Sequence, residues 1–122
     1  MEIDPRLQRG VAMFNAGEFF AAHEIWEDLW GETVGPEKLL LQGLVQIAAG
    51  YSKVESGGHG GALKLLGRGI AQVREFGAQA LGLALGPFVA GVEADLQRLR
   101  TAAAEVNLSL VRVPSLQLAP KS

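Results

Sequence analysis

Apolar residues recur at helical spacing along most of the chain, in blocks divided by glycine and proline. Leu7, Val11 and Phe14 stand at i, i+4 and i+7 behind Asp4-Pro5, a side-chain acceptor followed by a proline suited to the first helical turn. Asn15-Ala16-Gly17 ends this helix, and so short a gap predicts an antiparallel hairpin with the next one, residues 18–30. The stripe of helix two is Phe19, Ala22, Trp26 and Leu29. GETVG, residues 31–35, reads as a turn, and Pro36 opens a third helix that runs to about Ser56. That helix is apolar nearly all round, from Leu39, Leu40 and Leu41 to Val54, which predicts a central position. SGGHGG, residues 56–61, reads as a loop.

Ala62, Leu63, Leu66, Ile70, Val73 and Phe76 form the inward face of a fourth helix. Gly67 and Gly69 inside it each cost about 1 kcal/mol relative to alanine, so a use in close helix approach is expected of them. Residues 81–86, LGLALG, read as an apolar connection, and Pro87 starts a fifth helix with Phe88, Val92, Leu96, Leu99 and Ala103 on one stripe. From Val106 on, β-branched residues and two prolines predict an extended tail, lying on the body or on a second subunit. The predicted fold is all-α: a single helical domain, 1–105, of two antiparallel hairpins and a C-terminal helix, then a tail, 106–122. Gly17 with Ala22 and Gly57 with Ala62 repeat forty residues apart at the start of the second helix of each hairpin, a tetratricopeptide-like echo.

At 122 residues the chain buries a core without staples, and it has no cysteine, which excludes disulfides, thiolate metal sites and cysteine nucleophiles. The net charge of −2, without basic clusters, argues against a nucleic-acid surface. No stretch is apolar and long enough for a membrane span, because Gln42 and Gln46 interrupt the longest run, and MEIDPRLQRG lacks the apolar core of a secretory signal. A soluble, cytoplasmic protein is expected.

Chemistry concentrates in GEFFAAHEIWEDLW, residues 17–30. His23, Glu27 and Trp30 share a helical face at i, i+4 and i+7, with Glu24 about 100° round the helix. Two readings follow. In the first, His23 and Glu27 form a polar pair capped by Gln42 or Gln46, amides that stack four apart on helix three and need partners if buried. In the second, His23 and Glu27 are metal ligands with Glu24 as general base, as in zinc peptidases. The peptidase motif has a second His where Glu27 stands, and the remaining histidine, His59, lies in a glycine-rich stretch. Phe20 stands where a di-iron Glu-x-x-His motif needs its Glu. No GxSxG elbow and no phosphate loop is present. Trp26 and Trp30 read as core or interface residues.

The stretch FNAGEFFAAHEIWEDLWGETVGPEKLLLQGLVQIAAGY resembles the signature of the Domain of Unknown Function 309 family, small all-helical bacterial and archaeal proteins. The resemblance lies in Phe14, Gly17, Phe20, His23-Glu24, Glu27 and Trp30, then Leu41-Gln42-Gly43 and Ala48-Ala49. It continues more loosely through Gly57, Gly61-Ala62 and Leu65-Leu66. It implies a compact helical fold and no established activity. Members of the family often carry a histidine just after the alanine-rich stretch, where this chain has Ser52-Lys53, and a lysine there opposes a bound cation. No cofactor is expected. The expected role is a non-catalytic helical module that binds a protein partner or itself; the alternative is a small metal-dependent hydrolase using His23, Glu24 and Glu27.

Overall fold

A computed structural model describes residues 4–102 and 106–120. Five helices follow one another: α1 (Pro5–Asn15), α2 (Phe19–Glu32), α3 (Glu37–Ser56), α4 (His59–Arg74) and α5 (Leu85–Arg100). Successive helices pack as pairs, with α3 between α2 and α4 and with α5 on α4. Asp4 caps α1 by accepting the Arg6 N–H at 2.8 Å. Gly17 takes a left-handed φ of 83°, and the Glu18 N–H returns to the Met13 carbonyl at 2.8 Å, which turns the chain straight into α2.

The same device closes α3. Gly57 is left-handed and the Gly58 N–H reaches the Lys53 carbonyl at 2.7 Å, so only these two glycines separate α3 from α4. The expected loop over 56–61 is therefore mostly helix, and His59 is the first residue of α4, its Nε2 3.0 Å from the Leu99 carbonyl. Gly69 performs the expected close approach: a methyl there would stand 2.8 Å from the Gly43 carbonyl oxygen of α3. Gly67 does not; a methyl there meets nothing within 4 Å.

A small antiparallel sheet accompanies the helices, which the all-α reading omitted. Strands β1 (Gln79–Ala80), β2 (Leu83–Ala84) and β3 (Gln117–Leu118) lie in the order β1-β2-β3. Residues 81–86 are thus a hairpin turn, a short strand and the start of α5, which begins at Leu85, two residues before Pro87. The period-2 signal is undetectable in two-residue strands. Ala103, read as the end of the α5 stripe, and the expected boundary at 105 fall outside the described residues, as do 121–122 of the tail.

The described tail straps the chain's own body. Val106 and Leu116 are buried, β3 pairs with β2, and a 3-10 turn covers Leu108–Leu110. The Asn15 side chain imitates a strand neighbour, accepting the Leu116 N–H at 2.8 Å and donating to its carbonyl at 3.0 Å. At the centre of the bundle the Phe14 ring lies 5.2 Å from Phe19, 6.0 Å from Trp26, 5.7 Å from Tyr51 and 5.5 Å from Phe88. One α1 side chain thereby ties together α2, α3 and α5, in edge-on and stacked contacts that favour aromatic packing.

Candidate functional site

The α2 stripe holds its apolar members Phe19, Ala22, Trp26 and Leu29 in the core and leaves the polar face at its margin. His23 Nε2 lies 3.2 Å from Glu27 Oε2, with side chains 24% and 58% exposed, so the pair sits at the margin of the bundle, the imidazole half-buried and the carboxylate in solvent. Glu24 is exposed, one residue further round the helix. Trp30 is half-buried, and the Lys38 ammonium stands 4.2 Å from its ring centroid. The exposed Phe20 ring lies 5.7 Å from the His23 ring.

Gln42 and Gln46 are half-buried on α3 and do not close the pair. Gln46 Oε1 and His23 Nδ1 are each buried without a hydrogen-bond partner among the described residues, and so is Trp30 Nε1. Spacing brought the right helices together, but an amide on α3 reaches a residue of α2 only if both lean into the same seam. Among the described residues no three His, Asp or Glu side chains gather where they could hold a metal. His59 stands at the other end of α3, on the carbonyl of Leu99. The fit to a three-ligand zinc site is therefore poor on the donor set itself.

A buried polar network lies elsewhere, around a residue the sequence does not single out. Asp95 of α5 is fully buried. Its Oδ2 accepts the Tyr51 hydroxyl at 2.6 Å, and its Oδ1 accepts Arg98 Nη1 at 2.6 Å and the Arg112 N–H at 2.8 Å. Burial, and then the hydrogen bond to Asp95, push the Tyr51 phenol well above its ordinary range. Both carboxylate oxygens are satisfied and Asp95 and Tyr51 are closed to solvent, with Arg98 reaching in from the surface, so the work of the group is to fasten α3, α5 and the strap together.

A cleft of about 1140 Å³ lies at one end of the bundle. Its floor is the buried Leu7, Leu29, Leu40 and Leu41, contributed by α1, α2 and α3. Its walls are Val34 and Pro36 from the α2–α3 turn, Phe76 after α4, the β1–β2 turn and the strap residues Leu118 to Pro120. Val34 is 85% and Leu118 54% exposed. Among the described residues, Asp4 and Glu37 are the charged ones that line it. Asp4 is held by Arg6, which also bridges to Glu32 at 2.7 Å; Glu37 has no ion-pair or hydrogen-bond partner among the described residues. One local hint of this site is a β-branched valine inside the turn GETVG; that residues of α1, α2 and α3 meet the hairpin turn and the strap in one cleft is a product of the topology.

No described helix is long and apolar enough to cross a membrane. Residues 7–65 match the family described as Domain of unknown function (DUF309), and this part of the chain is a DUF309 domain. The match covers α1, α2, α3 and the first half of α4, and so the cleft floor; the hairpin, α5 and the strap lie beyond it. No curated protein matches the chain.

Proposed function

We propose that this DUF309-containing chain is a cytoplasmic, non-catalytic helical module that binds a protein partner, or a second copy of itself, through the cleft at the end of the bundle. The observation that carries the reading is the pairing of a leucine floor with apolar walls left in solvent, Val34 and Leu118 above all. Contiguous exposed apolar surface around a concavity marks interaction sites more often than it marks an ordinary surface. Among the described residues the charged groups lining the cleft are Asp4, which caps α1 and holds Arg6, and the lone carboxylate Glu37, with no histidine, cysteine or serine beside it; His23 with Glu27 sits on the margin of α2.

The test is a peptide-display selection on the full chain, counter-selected against a Val34→Glu, Leu118→Glu double variant, beside sedimentation velocity of both proteins. Selected peptides that bind the wild type and lose at least about tenfold affinity on the double variant, or a wild-type dimer that the double variant dissolves, support the reading. A monomeric wild type whose selected peptides bind both proteins equally overturns it.

A further inference from the structure

The occupant of the cleft follows from three features of its rim, given that the cleft is a docking site. The first is charge. The lining contains two carboxylates and no lysine or arginine among the described residues. Asp4 is already engaged with Arg6, whereas Glu37 lines the cleft with no cationic partner among the described residues. A carboxylate on the border of an apolar surface favours a cationic group next to an apolar body, and disfavours an anionic one.

The second is a backbone edge. Leu83 and Leu118 are paired across β2 and β3, and the Ala119 N–H donates to the Gly82 carbonyl at 2.7 Å. In that antiparallel register the Leu118 N–H and C=O point away from β2. β3 is the outer strand of the sheet and Leu118 lines the cleft, so backbone groups without a partner among the described residues border the apolar floor. An extended chain satisfies such an edge while its alternate side chains enter the cleft; a lipid tail or an aromatic ligand does not.

The third is the turn between β1 and β2. Leu81 and Gly82 both have positive φ, 50° and 74°, the pattern of the hairpin turn that asparagine and glycine prefer. A leucine in the left-handed region costs about 1–2 kcal/mol. Its side chain is a wall of the cleft and packs on the core edge, which gives that strained residue a use.

From these we infer that the cleft takes an extended, apolar peptide segment carrying a lysine or arginine beside its apolar residues, the cation meeting Glu37 and the backbone running along the outer edge of β3. The inference deepens the docking reading above and rests on it.

Fluorescence anisotropy of a labelled heptapeptide alternating leucine and threonine and ending in lysine, with a twin ending in glutamate, tests it on the full chain. The expected result is saturable binding of the lysine peptide and at least about tenfold weaker binding of the glutamate twin. Glu37→Gln removes most of that preference, and Val34→Glu with Leu118→Glu abolishes binding of both peptides. Equal affinity for the twins, or a preference that survives Glu37→Gln, overturns the inference and leaves the docking reading standing. No binding of either peptide, or binding unchanged in the double variant, also overturns the inference, and the docking reading then stands or falls by the selection and sedimentation results above. Both altered wall residues are exposed, so melting curves of the variants are expected to match the wild type.

Discussion

The Tyr51 hydroxyl donates to Asp95 Oδ2 at 2.6 Å inside the bundle, where both residues are fully buried. The same carboxylate accepts the Arg112 N–H, so the α3 tyrosine, the α5 aspartate and the C-terminal strap are one hydrogen-bonded unit. Removing the hydroxyl in Tyr51→Phe leaves a buried carboxylate one donor short, with an expected loss of about 1–3 kcal/mol in chemical denaturation. The pH dependence has a definite sign. The folded phenol is held above its ordinary value of 10.0, mainly by burial and then by Asp95. Its contribution to stability is therefore complete below about pH 10 and is lost as pH rises beyond it. Wild-type stability is expected to fall in that alkaline range, and the Tyr51→Phe protein is expected to lack this component of the decline.

Gly10 and Trp26 fix the crossing of α1 and α2. The indole N–H donates to the Leu7 carbonyl at 3.2 Å, and a methyl on Gly10 would stand 2.0 Å from that same nitrogen. Gly10→Ala is expected to displace the indole, strand its N–H and cost more than about 2 kcal/mol. The reading is a lowered denaturation midpoint together with a shifted Trp26 emission, measured in a Trp30→Phe background.

The two glycines inside α4 separate cleanly. Gly69→Ala forces a methyl against the Gly43 carbonyl, at 2.8 Å, and is expected to cost about 1–3 kcal/mol. Gly67→Ala meets open space and gains helix propensity, so it is expected to stabilise the protein by about 0.5–1 kcal/mol. Thermal melts of the two single variants decide the matter, because the expected shifts have opposite signs.

His23→Ala is expected to cost less than about 1 kcal/mol. The pair with Glu27 is an i, i+4 contact at the margin of the bundle, its carboxylate in solvent, and such pairs contribute little. A loss several times larger would place His23 in a tighter polar network than its geometry describes.

Much of the helical plan is legible in the sequence, and the reasons are local. Asp4-Pro5, Gly17 and Gly57 announce helix ends by their own chemistry, and the apolar stripe of α2 is buried residue for residue as its spacing requires. The polar seam was legible only in part. Spacing places His23 beside Glu27 on one helix, but the fit of Gln46 depends on the lean of α3 against α2, which no periodicity encodes. Asp95 looks like an ordinary surface aspartate in a helix that also carries exposed Glu93 and Gln97. Its partners are Tyr51 of α3, 44 positions away, and the strap backbone at Arg112, 17 positions on, which no local pattern encodes. The cleft was illegible for the same reason: its lining runs from Asp4 to Pro120.

The most direct measurement of the central claim is a methyl-resolved NMR titration of the full chain, labelled at leucine and valine, with the lysine-ended heptapeptide. The account predicts that shifts concentrate on Leu7, Leu29, Val34, Leu40 and Leu118, the residues of the end cleft. Shifts confined to methyls remote from the cleft, such as Val54 and Leu66 in the α3–α4 core, or no shifts at all, contradict it.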